Sequence, residues 1–91
     1  MATDSKVEVV IDTNRCKLIV KLLTDCQIIA LDAEGVNLGK DGPLTLLQIG
    51  TMDGDVYLFD IWSNKELFYE GRLKEIMEST RIVKVFINFN N

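Results

Sequence analysis

Histidine is absent from this 91-residue chain, proline occurs once, and no uninterrupted apolar run is longer than four residues. Without an imidazole, any acid that the fold buries lacks one common fixed partner. One proline and six glycines leave no room for a linker or a low-complexity tract, and no internal repeat is found. The apolar runs fall far short of the roughly 20 residues that cross a bilayer, which excludes a transmembrane helix and a membrane partner. Met1–Lys6 lacks the apolar core and cleavage-like site of a signal peptide, so an intracellular setting, cytoplasmic or nuclear, is expected. Cysteine is scarce too: Cys16 and Cys26 have no metal-like spacing and are expected as reduced thiols, with a disulfide as the alternative. Basic charge is short, with 10 Lys and Arg against 14 Asp and Glu for a net charge of −4. The basic residues are scattered singly, so broad electrostatic attraction to nucleic acid is not indicated. Contact with nucleic acid through bound divalent cations is a separate case, because two such ions would neutralise the formal charge where a phosphate lies. Composition favours neither.

What remains is ordinary globular material, 47% hydrophobic and 26% charged, in a length that allows one domain at most. Residues 6–11 (KVEVVI) form a β-branched run that predicts an edge strand. Asp12 or Thr13 can cap a helix, in which Cys16, Ile19, Val20 and Leu23 make one apolar stripe until Thr24-Asp25 ends it. Residues 28–34, 44–50 and 55–61 read as three strands in an antiparallel meander, the second turn carrying the Asp53-Gly54 pair that favours hairpins. Both faces of these runs are apolar, which predicts a sheet covered on both sides. Leu73, Ile76 and Met77 have helical spacing, with Gly71 separating a short turn from the main helix and Glu70 placed to pair with Lys74. Residues 81–86 (RIVKVF) then return as a strand parallel to the sheet. The class is α/β.

Two acids interrupt this apolar pattern, Asp32 and Glu34. Alternation puts both on one face of the strand, about 6.6 Å apart along it. That spacing suits carboxylates that share divalent cations about 3.5–4 Å apart. A second reading stays open, in which the pair is solvated at a strand end or caps residues 35–37. Asp53, Asp55 and Asp60 are further acids but read as turn and strand-end residues. Gln48 is weighed as a groove residue against a satisfied side-chain amide. Residues 35–39 lack the Lys-Ser/Thr and the helix start of a phosphate loop. Phe59, Trp62, Phe68 and Tyr69 read as core rather than as stacking platforms.

The run IIALDAEGVNLGKDGPLTLLQIGTMDGDVYLFDI, residues 28–61, resembles the opening of 3′–5′ exonuclease domains of the ribonuclease D-like DEDD superfamily, especially the exonuclease 3′–5′ domain-containing proteins. The likeness continues through residues 67–76 (LFYEGRLKEI) and 82–86. It implies a ribonuclease H-like fold and a four-carboxylate site for two magnesium or manganese ions that acts on the 3′ end of RNA or DNA. Asp32 and Glu34 match the first two carboxylates as catalytic residues and metal ligands, with Glu34 also touching the terminal nucleotide. Gly35 and Val36 are then substrate contacts. The chain departs from the pattern after its last strand. A histidine usual in the family is replaced by Ile87, followed by Asn88-Phe-Asn-Asn91, and the third carboxylate would fall one residue further on.

Residues 1–91 are therefore expected to be a partial exonuclease domain, an N-terminal half that is catalytically dead or nearly so by itself. The alternative is a nucleic-acid-binding or protein-interaction module that keeps the fold without turnover. An incomplete sheet also predicts an exposed apolar face that draws a protein partner or a second copy.

Overall fold

A computed structural model describes residues 5–35 and 44–87. The element order is β1 (Val7–Val10), α1 (Thr13–Leu23), β2 (Ile28–Gly35), β3 (Leu44–Gly50), β4 (Val56–Asp60), α2 (Glu66–Tyr69), α3 (Leu73–Glu78) and β5 (Val83–Phe86). Asp12 caps α1, its carboxylate accepting the backbone amide of Arg15 at 2.7 Å. The predicted stripe of Cys16, Ile19, Val20 and Leu23 is the buried face of that helix.

The strands form one mixed sheet in the order β1-β4-β3-β2-β5. β2, β3 and β4 are the antiparallel meander, and β5 lies parallel to β2. At the β3–β4 turn the Thr51 amide donates to the Asp55 carbonyl at 2.9 Å, and Gly54 takes φ 94°. A positive φ there favours glycine, which explains the Asp-Gly pair. β1 joins the far edge, parallel to β4.

One core holds residues from the sheet and all three helices, and the helices pack on one another on the same side. Leu31, Leu47, Ile49 and Phe59 from the central strands meet Ile19, Leu23, Leu67, Leu73 and Ile76 there, all fully buried. Gly71 lets α2 and α3 turn a tight corner against α1. A Cβ at that position would meet the Leu67 carbonyl oxygen and lie 2.9 Å from the Cys16 sulfur.

Two expectations are corrected. Among the described residues the sheet is covered on one face only. Val7, Val9, Val83 and Val85, which alternation places on the other face, are 67%, 57%, 58% and 46% exposed. The apolar pattern is present on both faces, but the helical stripes all turn to one. Lys74 pairs with Glu78 at 3.0 Å rather than with Glu70. Glu70 only caps α2, and Arg72, at φ 72°, breaks the helical path between them.

Candidate active site

The open face is where β2 presents its acids. Ile29 and Leu31 point into the core, so alternation sends Asp32 and Glu34 to the uncovered side. Asp32 is half-buried and Glu34 exposed. Among the described residues neither side chain has a hydrogen-bond or ion-pair partner. Immediately after them the β2–β3 register shifts between Glu34 and Gly35, and the Thr45 hydroxyl donates to the Glu34 carbonyl at 3.1 Å. A bulge of this kind bends a strand and re-aims the side chains beside it.

Register fixes the neighbours. Asp32 faces Gln48 across β3, and Gln48 faces Leu58 on β4. Glu34 faces Leu46, which faces Asp60. Asp60 thus shares the face and the end of the sheet, but two strand spacings put it about 9.5 Å from β2. Its carboxylate is also engaged, accepting the Ser63 hydroxyl at 2.7 Å and the Ser63 amide at 3.1 Å. On the other flank the Ile87 amide donates to the Leu31 carbonyl at 2.8 Å, which carries the pairing past β5 and sets an apolar side chain beside Asp32. Among the described residues no three of His, Cys, Asp and Glu gather closely enough to hold a metal.

Asp32 and Glu34 offer oxygen donors of the kind a hard divalent cation takes, and with no internal partner among the described residues their carboxylates stay open to solvent on this face. The remaining candidates separate. Gly35 sits at the bulge, within reach of the same edge, whereas Val36 lies outside the described residues. Asp53 belongs to the β3–β4 turn and Asp55 accepts the Lys6 amide at 3.2 Å, both at the opposite end of the sheet. Phe59 is core and Phe68 half-buried, but Trp62 and Tyr69 are 66% and 69% exposed, contrary to expectation. Both cysteines are free. Burial pushes the Cys16 thiol up to about 12, and partial burial, with Asp53 and Asp25 nearby, raises that of Cys26. Neither is an activated nucleophile. The position of Gln48 beside Asp32 was not legible, because residue types do not reveal the register across a loop of this length.

No protein-family model and no curated protein matches the chain. Solved structures do match. RNase D from Trypanosoma brucei, in complex with the RNA U12, aligns at 24% identity and TM-score 0.73 over 96% of this chain and 31% of its own. The Aedes aegypti Nibbler EXO domain aligns at 21% identity and TM-score 0.68, over 89% of this chain and 38% of its own. The EXD2 exonuclease domain soaked in Mg aligns at 24% identity and TM-score 0.60, covering 88% of this chain and 43% of its own. This chain spans less than half the length of each. The mixed five-stranded sheet with its flanking helices therefore has the ribonuclease H-like α/β fold of these exonuclease domains, over the part of them that it covers.

Proposed function

We propose that residues 1–91 form the opening part of a 3′–5′ exonuclease domain of the ribonuclease D type, in which Asp32 and Glu34 are the first two carboxylates of a two-metal site. The observation that carries this reading is the pair itself: two unpartnered acids on one face of a central strand, at a bulge, in the fold of solved exonuclease domains. Magnesium or manganese suits their oxygen donors, and an EXD2 domain has been soaked in Mg. RNA is the favoured substrate over DNA, because RNase D was solved with an RNA.

Bound divalent cations supply Lewis acidity at a phosphodiester. This chain supplies the floor on which the strand end rests. Asp32, half-buried on β2, offers carboxylate oxygens held by the sheet. Glu34, exposed and next to the bulge, would serve both a cation and the terminal nucleotide, with Gly35 beside it and Val36 next in sequence. Two carboxylates offer at most four oxygens, short of the six that one magnesium takes and far short of two ions' needs. Alone, the chain is expected to bind metal weakly and to turn nothing over.

A second reading rests on Ile87. An apolar side chain beside Asp32 and, among the described residues, no third acid gathered with the pair favour a nucleic-acid-binding or protein-interaction module without catalysis. The two separate in one assay. Labelled single-stranded RNA and DNA are incubated with magnesium or manganese and either this chain or one extended at its C-terminus by a segment that folds onto the sheet and carries the second pair of acids. The expected result is no shortening by the 91-residue chain, and 3′ shortening by the extended one that is lost in Glu34→Ala. Binding without shortening by both would establish the module instead. Tight manganese binding that survives Asp32→Ala would place the metal elsewhere.

A further inference from the structure

We propose that the outer face of α1 is a docking surface for an acidic segment of a partner protein, which sets its carboxylates in the cleft between α1 and α3 and its aliphatic side chains along Leu18 and Leu22. The surface lies on the helix side of the sheet, away from Asp32 and Glu34, and it needs no metal.

A cavity of about 410 Å3 opens between the C-terminal half of α1 and the start of α3. Lys17, Lys21 and Arg72 line it against the one carboxylate of Glu75, so the fold gathers here basic residues that the sequence scatters singly. Arg81 brings a fourth cation to the rim, where its Nη2 donates at 3.3 Å to the carbonyl of Thr24, itself a lining residue. Among the described residues the ammonium groups of Lys17 and Lys21 have no hydrogen-bond or ion-pair partner. Arg72 and Glu75 approach only to 3.9 Å with both side chains more than half exposed, a pair that water weakens. In a chain of net charge −4 this is a local excess of positive charge, and it draws anions.

A second feature of the same helix selects the partner. Leu18 and Leu22 are 57% and 61% exposed, although the other apolar residues of α1 are buried. Residues four apart stand one above the other on a helix. Lys17 with Lys21, and Leu18 with Leu22, are thus two neighbouring rows, each about 6 Å long. Alternate side chains of an extended peptide are about 6.6 Å apart, and successive ones point to opposite sides. A segment of alternating acidic and aliphatic residues lying along α1 therefore turns its carboxylates to the lysines and its aliphatic side chains to the leucines. RNA matches only half of this surface. Its phosphates suit the cations, but single-stranded bases are held by stacking on aromatic rings, and among the described residues none lines the cavity.

The test is the fluorescence anisotropy of a short labelled peptide in which glutamate and leucine alternate, titrated with the whole chain at low salt, with circular dichroism melts of every variant. Lys17→Glu with Lys21→Glu is expected to weaken the peptide by roughly tenfold or more. Leu18→Ser with Leu22→Ser is expected to weaken it several-fold. All four side chains are exposed, so the melting temperatures should stay close to that of the wild type. Lys17→Gln with Lys21→Gln serves if the charge reversal folds poorly. A peptide with serine in place of leucine is expected to bind several-fold more weakly than the first. Absence of saturable binding, or binding that survives the lysine variants, overturns the proposal. Equal affinity for the two peptides overturns it as well, because charge alone would then account for the contact. A uridine oligomer that binds more tightly than the leucine peptide and is lost in Lys17→Glu with Lys21→Glu would assign the cavity to nucleic acid instead.

Discussion

The two faces of the sheet are built from the same strands and differ in almost everything else. On the covered face the rows Leu31–Ile49–Tyr57 and Ala33–Leu47–Phe59–Val10 run across the strands, and their large side chains are at most 5% exposed beneath the helices. On the open face the equivalent rows are Asp32–Gln48–Leu58 and Glu34–Leu46–Asp60, where acids and an amide interrupt the apolar surface. Alternation along β2 gives one strand both jobs. Its inward residues lock it to the helices, and that rigidity lets its outward residues hold a fixed geometry. A face can afford unpaired carboxylates only where the core does not need it.

The comparison breaks most sharply under the helices. Gly71→Ala puts a methyl against the Leu67 carbonyl and about as close to the Cys16 sulfur as 2.9 Å, and the Leu67 Cα, at 2.8 Å, is backbone that cannot swing aside. The expected loss is about 3 kcal/mol. For a domain of this size that lowers the melting temperature by roughly 10–20 °C. A melt within a degree or two of wild type would mean that the α2–α3 corner yields freely and that the covered face is less tightly packed than its burial indicates.

The open face should respond in the opposite way, with little change in stability and a large change in association. Val9 and Val85 are 57% and 46% exposed on the outer strands of an uncovered sheet, and both edges carry unpaired backbone groups. The wild-type chain is expected to self-associate with rising concentration in sedimentation velocity. Val9→Lys with Val85→Lys should shift it toward monomer while each change stays within about 0.5 kcal/mol in stability. A chain that is monomeric at every concentration would show that its open face is too polar or too small to act as an interface.

Most of the covered face was legible in the sequence, because burial there follows period and caps. The stripe Cys16, Ile19, Val20, Leu23 and the Asp12 cap have one reading at 3.6 residues per turn, and Asp53-Gly54 fixes the β3–β4 hairpin locally. The acids Asp32 and Glu34 were legible as a pair on one face for the same reason, since a two-residue period needs no knowledge of the partner strand. What failed depended on distant contacts. Trp62 and Tyr69 have the composition of core residues, but Trp62 follows the end of β4 and Tyr69 is the last residue of α2, and both side chains are exposed. Glu70 and Lys74 have helical spacing, but the left-handed Arg72 between them puts them on different elements. The bulge after Glu34 and the pairing of Asp32 with Gln48 depend on a β2–β3 register that no short motif encodes.

The smallest effect tests how the edge of the covered face is tied down. Glu8 on β1 lies in register with Tyr57, and its carboxylate receives both Arg15 Nε at 2.7 Å and Nη2 at 2.8 Å from the first turns of α1. The hydrogen bonds from Arg15 hold the Glu8 carboxyl below its ordinary value of 4.5, against the opposing effect of partial burial and with the charges of Arg15 and Lys6 assisting. A carboxylate whose native value is lowered binds protons less readily folded than unfolded. Its contribution to stability is therefore complete above pH 4.5 and fades as the pH falls through the lower native value. The Arg15 side chain is 43% exposed, so water and salt screen the pair and the contribution is modest. Melts of wild type and Glu8→Gln should differ most at neutral pH and low salt, and the two curves should converge as the pH drops below 4.5. A gap between them that keeps its size through that window, or that 1 M salt leaves untouched, would mean that Glu8 acts through packing on Tyr57 and that no charge pair ties β1 to α1.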